Sequence, residues 1–523
     1  MHSVAATALQ NVESDPQKWA EIAQQLRAEA LHLNDQLTQR ERQLKTAKIT
    51  IEALTLELAH LRRIRFGSKN EALCAEQRSL FDEAIAEDIG AIEAATEAVL
   101  PRQTRPPRPR AGRQSLPDHL PRIDHHHEPQ SCTCGTCGQD LIKIGEDISE
   151  QLDIEPARFF VHRHIRPQYA CRGCETITAA PIPPAIIDGG IAAPGLQAWI
   201  MISKHVDHLP FYRLEQIAAR DGVTLPRSNL AEWGGRIGVA LQPLADGVAD
   251  RLRQRRVVHA DETPVRQLDP GRGKTQRAYL WAYRSADLEE GDPLVVFDYQ
   301  PDRRGQHAQS FLQDWRGALM VDDYGGYKTL FAQGIQELAC LAHLRRKFYD
   351  LHAANQSPIA AEALRRIAEL YAIEQPGRDY AAADRHALRL DQAKPKLDDL
   401  RAWLIRTRLT TAEGSGTARA IDHSLKRWEA LMRYLDDGRY PIDNNPVENA
   451  IRPIAVGKKK RWLFTGSERA GRRAAAVQSL LATAKLNGIE PYAWLKDILE
   501  KLPAWPNSRI DELLPLRSIY RPT

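Results

Sequence analysis

The chain has 523 residues, of which 43% are hydrophobic and 27% charged, with a formal net charge of +4. That length exceeds what one hydrophobic core organises, so several modules are expected. With so small a net charge, affinity for nucleic acid has to come from local clusters of cations and not from the global field. No apolar run reaches the ~18 residues of a membrane span, and "MHSVAATALQNVESDPQKW" lacks the basic-then-apolar order of a signal peptide, so a cytoplasmic protein is expected. Seven cysteines, four of them in two CxxC pairs, fit metal ligation in a reducing compartment better than a disulfide framework.

From Ala23 to Leu61 apolar residues recur in alternating steps of three and four. One seam reads Ala23, Ala30, Leu37, Leu44, Ile51, Leu58 and the other Leu26, Leu33, Arg40, Ala47, Leu54, Leu61. A single helix cannot bury so narrow a stripe against itself, which favours a coiled coil that oligomerises the chain over a helix packed on its own domain. "PRQTRPPRPRAGRQ" (101–114), rich in Arg and Pro without periodicity, reads as a linker: a solvated spacer, or an arm that neutralises DNA phosphates.

Cys134 with Cys137, and Cys171 with Cys174, form two CxxC knuckles whose four thiolates match a closed structural Zn²⁺ site. "FFVHRHIRPQYA" reads as a strand returning to the second knuckle, as in a zinc ribbon. Cys132 is too close to Cys134 to share the knuckle, Cys74 and Cys340 read as buried thiols, and "HHHE" (125–128) reads as a solvated loop before a metal site. Next, "PFYRLEQIAARDGVTLPRSNLAEWGGRIG" has helix-turn-helix grammar. A helix from Tyr212 to Arg220 is stopped at Gly222, and a second is capped by Ser228. Arg227, Asn229 and Arg236 would then reach DNA, unless the two helices simply pack with no DNA contact.

"VVHADETPVRQ", "RAYLWAYRSA" and "PLVVFDYQ" read as three consecutive strands, followed by the helix "GQHAQSFLQDW" and a fourth strand "GALMVDD". That order is the order of a ribonuclease-H-like fold. The Ala-, Leu- and Arg-rich stretch 354–440 reads as a helical insertion, and two helices follow later, one stopped by Gly488 and one opened by Pro491. Asp261 would terminate the first strand and Asp322 the fourth, and in such a sheet these strands are neighbours. Two carboxylates so close repel unless divalent cations share them. Glu448 in "YPIDNNPVENAIRP" is the candidate third acid, with Asn445 as N-cap and Pro446 at the first helical position; its competing reading is a capping box. Asp323, Asp443 and Glu262 are rival ligands.

"HADET", "VDDYGGY", "CLAHLRRKF", "DNNPVENAIRPIAVGKK" and "WLFTGSERAG" resemble, in order and over nearly the whole chain, the signature stretches of bacterial transposases of the insertion sequence 66 family. "LRRIRFGSKNEAL" with "QRSLFDE" resembles that family's segment after the zipper and "GRQSLPDHLPR" its lead into the zinc-binding region, whereas "GKKKRWLF" and the C-terminal tail depart from its usual pattern. The resemblance implies an Asp-Asp-Glu enzyme with Asp261, Asp322 and Glu448 as catalytic ligands of Mg²⁺ (or Mn²⁺). It would cut element ends and join them to target DNA by two-metal phosphoryl transfer.

Lys458, Lys459, Lys460, Arg461 and Trp462 would hold phosphates and stack on a base, or form a solvated basic loop around a core Trp. "HLRRKF" would line the DNA path or decorate a helix. Expected partners are double-stranded DNA (terminal inverted repeats and target), further copies of the chain through the coiled coil, and helper proteins of the same element, with no membrane. The expected location is bacterial cytoplasm at the nucleoid. A DNA-binding regulator with an inactive core, or a nuclease that does not join strands, are the competing functions.

The expected architecture is multidomain α+β. It comprises a coiled coil (1–66), a Pro/Arg-rich linker (67–122), a zinc-binding domain (123–180) and a helix-turn-helix-like domain (181–250). These lead into a ribonuclease-H-like core (251–353 and 441–480) split by a helical insertion (354–440), then a C-terminal helical segment (481–523).

Overall fold

The structure, a computed structural model, describes residues 16–66, 86–97, 116–128 and 131–521, apart from short interruptions at 132, 134–136, 138, 156–157, 173, 182, 188, 270–273 and 460–463. Cys74, Cys132, Cys134 and the 101–114 segment lie outside the described residues. The chain divides into two compact units, Met1–Arg63 with Ile92–Arg108, and Ile64–Ala91 with Pro109–Thr523.

In the first unit, helix α1 (Pro16–Phe66) is continuous for 51 residues. The seam leucines Leu26, Leu33, Leu37 and Leu44 are exposed.

The second unit is a mixed α+β assembly with two sheets. The smaller sheet is built on a long antiparallel hairpin of β2 (Leu141–Glu155) and β3 (Arg158–Cys171), with β1 (Arg122–His126) parallel to β3 and β4 (Ile177–Ala179) antiparallel to it. "HHHE" is thus not a solvated loop. His125 pairs with His164 across the strands, His125 Nε2 lies 2.7 Å from His162 Nδ1, and His127 Nε2 lies 3.0 Å from His164 Nδ1. Alternation in "RIDHHH" was too short and too polar to mark it as a strand, but the neighbouring β3 supplies the ladder. Leu152, Ile154, Phe159 and Val161 join one core with Leu196 and Ile200 of α2 (Pro194–His205), so the zinc-binding region is packed on its neighbours.

Helices α3 (Phe211–Arg220) and α4 (Arg227–Leu252) follow, joined through Gly222 at φ +71°, as the left-handed stop requires. The cap of α4 is Pro226, and Ser228 lies inside the helix. Most of α4 is buried, including Arg236, whose Nε donates to Glu232 Oε1 at 3.0 Å. Arg236 is therefore corrected from a DNA contact to an interior residue. The isolated sequence pattern of a recognition helix did not register that Leu230, Trp233, Ile237 and Leu241 bury this helix.

The 67–122 stretch, expected as linker, contains a helix over 86–97. Its Ala86 and Ile89 are buried, Asp88 accepts from Arg473 Nη2 at 2.8 Å, and Glu87 accepts from Lys204 Nζ at 2.8 Å. Glycines allow the close approach: a Cβ at Gly235 would lie 2.1 Å from Glu87 O, and one at Gly90 2.6 Å from Glu232 O.

The larger sheet has the order β7-β6-β5-β8-β9. Strands β5 (Val257–Asp269), β6 (Lys274–Ser285) and β7 (Val295–Gln300) are antiparallel, whereas β8 (Ala318–Val321) and β9 (Gln336–Ala339) run parallel to β5. Helix α5 (Gln306–Leu312) links β7 to β8. After β9, α6 (Leu341–Asn355) leads into a helical insertion with its own core of Phe348, Ile367, Leu370, Leu397, Leu404, Ile421 and Trp428. The chain then returns as α7 (Asn445–Lys459), packed by Val447, Ile451 and Ile454 against Val265, Leu280 and Phe297 of the sheet.

Helix α8 (Glu468–Leu486) covers the exposed edge of β7. Phe297 N donates to Ser479 Oγ at 2.7 Å and Val295 N to Thr483 Oγ1 at 3.2 Å, so hydroxyls satisfy an edge that would otherwise invite another strand. Gly488 (φ +70°) ends α8, and Pro491 opens α9 (Pro491–Lys501).

Substituting Gly235→Ala should push residues 86–91 off α4, since the obstruction is a backbone carbonyl. We expect a loss of about 1–3 kcal/mol, read as a lower urea midpoint and faster proteolysis within 86–97; wild-type behaviour would count against this close packing.

Candidate active site

Asp261 lies within β5, which continues in its pairing with β6 as far as Asp269; only the ladder to β8 ends before it. It was expected at a strand end, and the difference is that β5 is long on one side and short on the other. The parallel pairs Val257↔Ala318, Val258↔Leu319 and His259↔Met320 share an offset of 61, and Asp261 with Asp322 continues it (322 − 261 = 61). The two acids thus stand side by side just beyond the last ladder pair. Asp322 Oδ1 accepts from Tyr324 N at 2.8 Å, which fixes its rotamer in a local turn.

Side chains alternate across a strand, and this separates Asp261 from Glu262. Glu262 is buried on the opposite face, where its Oε1 accepts from Arg303 Nε at 2.7 Å and its Oε2 from Tyr327 Oη at 2.8 Å. It anchors Arg303 and is not a ligand candidate on Asp261's side. Asp323 is held by Arg427 Nη1 at 2.8 Å, and Asp443 by Tyr371 Oη at 3.0 Å and Asn445 Nδ2 at 2.8 Å. Both are engaged in tying the insertion and α7 to the core.

The third acid arrives through a contact that the sequence did not reveal. Asn444, fully buried, donates from Nδ2 to Ala260 O at 2.9 Å, and its Oδ1 lies 2.9 Å from His259 Nδ1. Because the amide nitrogen is used on Ala260, His259 must donate from Nδ1. Burial first of all pushes that imidazole down to about 4, so it is neutral. Asn444 O also accepts the first helical bond, from Glu448 N at 3.3 Å, which makes Asn444 the N-cap, and Asn445, expected there, the first helical residue. Glu448 consequently does not fold back as a capping box. Its Oε1 is buried without a hydrogen-bond partner, 3.6 Å from His343 Nδ1, while its Oε2 lies 3.7 Å from Arg346.

Electrostatics report the proximity of the acids. Burial, and then the charges of Glu262, Asp322 and Glu448, push the Asp261 carboxyl up to about 8 against one backbone N–H that stabilises the anion. Around these acids stand Arg303, whose guanidinium lies 3.8 Å from the Tyr324 ring centre, and Arg427 of the insertion, which donates to Asp322 O at 2.6 Å. Arg345, Arg346 and Lys347 of "HLRRKF" are exposed on α6. Neither Arg303 nor Arg427 carried a motif in the sequence.

At the end of the β2–β3 hairpin, Cys137 Sγ lies 3.2 Å from Cys171 Sγ and 3.6 Å from Cys174 Sγ, as ligands of one structural zinc require. Arg227 is exposed and pairs with Glu215 at 3.3 Å, and Asn229 is half-buried beside it. Lys458 and Lys459 end α7, with side chains outside the described residues, as are Lys460, Arg461 and Trp462.

With its pKa raised, Asp261 keeps its proton in the folded chain after the unfolded chain has lost it. Stability should therefore fall as pH rises from about 4 to 8 and level off above. Without added magnesium, Asp261→Asn should raise the melting temperature over wild type by a margin that grows across that window; a pH-independent margin would refute the shift. Zinc chelation should increase proteolysis at the Cys137–Cys174 end of the hairpin while leaving the larger sheet intact.

A family model described as "Transposase IS66 family" matches residues 189–473, and one described as "IS66 C-terminal element" matches 479–516. "Zinc-finger binding domain of transposase IS66" matches 131–175, and "Transposase C of IS166 homeodomain" matches 53–124. The chain is 37% identical over 508 residues to "uncharacterized protein y4jD" of Sinorhizobium fredii, covering 92% of this chain and 97% of that protein. It is 38% identical over 488 residues to "uncharacterized protein y4qI" of the same organism, covering 90% of each. A 28-residue stretch is 61% identical to "uncharacterized protein YjgZ" of Escherichia coli, covering 5% of this chain and 26% of that protein.

Proposed function

The chain belongs to the IS66 transposase family, and on that premise we propose that it cuts the ends of an insertion element and joins them to target DNA, with Asp261, Asp322 and Glu448 as its catalytic acids. The observation that carries this reading is the β5–β8 register that sets Asp322 beside Asp261, with Asp322 and Glu448 adding, after burial and Glu262, to the effects that raise the Asp261 carboxyl to about 8. A sheet with three antiparallel strands followed by two parallel ones, split by a helical insertion, supports assigning the core to the ribonuclease-H-like class.

The donor set fits Mg²⁺ or Mn²⁺: hard carboxylate oxygens, one of them buried without a partner, with the Asp261 carboxyl held up by burial and by its acidic neighbours. When bound, the divalent ions supply charge neutralisation at the phosphodiester and lower the pKa of the attacking hydroxyl. The protein's own groups hold and orient. Asn444 fixes the helix that bears Glu448, Tyr324 N fixes Asp322, and the exposed Arg345, Arg346 and Lys347 offer cations to the phosphates. Water cuts the element end, and the freed 3′-hydroxyl then attacks a target phosphodiester. The first step hydrolyses one phosphodiester to a 3′-hydroxyl and a 5′-phosphate, the second forms one phosphodiester as it breaks another, and neither needs a nucleotide cofactor.

In this reading Arg227 and Asn229, together with the Lys458–Trp462 segment, contact DNA. The exposed leucine seam of α1 pairs with that of another copy, so that both ends are held in one complex. The protein would act at the bacterial nucleoid, with helper proteins of the same element as further partners. Among the described residues no helix is long and apolar enough to cross a membrane.

Asp261→Asn, Asp322→Asn and Glu448→Gln should each lower end cleavage and strand transfer by about a thousandfold, several kcal/mol of lost transition-state stabilisation, while end binding persists. A labelled-end strand-transfer assay with Mg²⁺ tests this. Binding without cleavage by the wild type would make the protein a DNA-binding regulator, and cleavage without joining would make it a nuclease.

A further inference from the structure

Among the described residues, one cluster of metal-ligating side chains outside the acid pair and the zinc-binding hairpin remains unexplained. Cys340 caps α6 and His343 lies one turn on, while Glu448 reaches them from α7. Cys340 Sγ, a His343 ring nitrogen and a Glu448 carboxylate oxygen all lie within 4.8 Å of one another. His343 Nδ1 and Glu448 Oε1 are 3.6 Å apart, and both are buried without a hydrogen-bond partner. Two orphaned ligand atoms facing each other beside a thiol call for something between them. Asp322, Cys340, His343, His423 and Arg427 contribute to the lining of an adjoining cavity of ≈ 10 Å³, room for one water-sized group.

We propose that Cys340, His343 and Glu448 form a second metal site, selective for a thiophilic divalent ion of the Zn²⁺ class, which withdraws Glu448 from the acid pair and so holds the enzyme inactive. This rests on the reading of Glu448 as the third catalytic acid. Ligand softness gives the selectivity: a thiolate and an imidazole suit Zn²⁺, whereas Mg²⁺ demands oxygen. Tetrahedral zinc places such ligand atoms about 3.3–3.6 Å apart, the spacing of His343 Nδ1 and Glu448 Oε1 at 3.6 Å, and Cys340 Sγ, within 4.8 Å of a ligand atom of each, needs only a small shift to join them. Charge also balances, because one thiolate and one carboxylate cancel the ion's two charges with the imidazole neutral, so no net charge is buried. On binding, the Cys340 S–H proton leaves to solvent and an S–metal bond forms. Asn444 N, 3.1 Å from Cys340 Sγ, is in place to stabilise the thiolate.

The test uses the full chain with its zinc-ribbon cysteines zinc-loaded, and Co²⁺ as the probe. Wild type should take up one further Co²⁺ per chain and show thiolate-to-cobalt absorption. Cys340→Ser should abolish that absorption, and His343→Gln, which leaves the buried thiol in place should the serine variant misfold, should weaken binding by roughly tenfold or more. Asp261→Asn should leave it unchanged. In parallel, Zn²⁺ should inhibit Mg²⁺-dependent strand transfer by wild type more strongly than by His343→Gln. No thiolate band, a band surviving both ligand substitutions, or one lost in Asp261→Asn would overturn the proposal. A band that behaves as expected while Glu448→Gln retains strand transfer would leave the metal site standing and refute the catalytic role of Glu448.

Discussion

A single buried amide ties the start of α7 to β5, and much of the candidate site depends on it. Asn444 bonds the carbonyl of Ala260 and the imidazole of His259 while its own carbonyl begins α7. Glu448 is 187 residues from Asp261 along the chain (448 − 261), with the whole helical insertion between them. Without a fixed point, the end of so long an excursion would hold an acid no better than its loosest loop. The clamp brings the helix start to the residue before Asp261, and buried polar groups of this kind tolerate only one partner arrangement.

Charge is the second constraint. Asp261 stands beside Asp322 where β5 and β8 cease to pair, and burial, followed by the charges of Glu262, Asp322 and Glu448, holds its carboxyl well above the usual carboxylate range. Arg303 and Arg427 do not neutralise Asp261, Asp322 or Glu448 directly, whereas Arg346 lies 3.7 Å from Glu448 Oε2. Arg303 is committed to Glu262 on the opposite face of the sheet, and Arg427 to Asp323, Glu337 and the backbone of Asp322. These arginines shape the rim of the site and leave the acids' inner oxygens for a ligand. The insertion therefore does more than extend the chain, because Arg427 and His423 bring it against the second acid's loop.

Local chemistry made much of this legible beforehand. β5 to β8 announced themselves through β-branched and aromatic runs, Gly222 and Gly488 through the left-handed conformation that a helix stop needs, and Pro491 through its tolerance of the first helical turn. The misreadings share one cause, which is that the deciding partner lies far away in sequence. His125 and His127 look solvated until β3 lies beside them, and Arg236 looks like a DNA contact until helix 86–97 and α8 bury α4. Asn445 looks like the cap until Asn444 is seen holding β5.

The sequence by itself determined the strands β5 to β7, the helix stops and the acids and thiols that stand as candidates, because motif spacing and strand or helix periodicity are local properties. The tertiary structure alone decided which acids face one another, that Glu262, Asp323 and Asp443 are already engaged, and that Cys340 and His343 stand beside Glu448. Those facts depend on which face of a strand or helix meets which neighbour. That is fixed by burial and hydrogen bonding between segments hundreds of residues apart, and no window of sequence contains both partners.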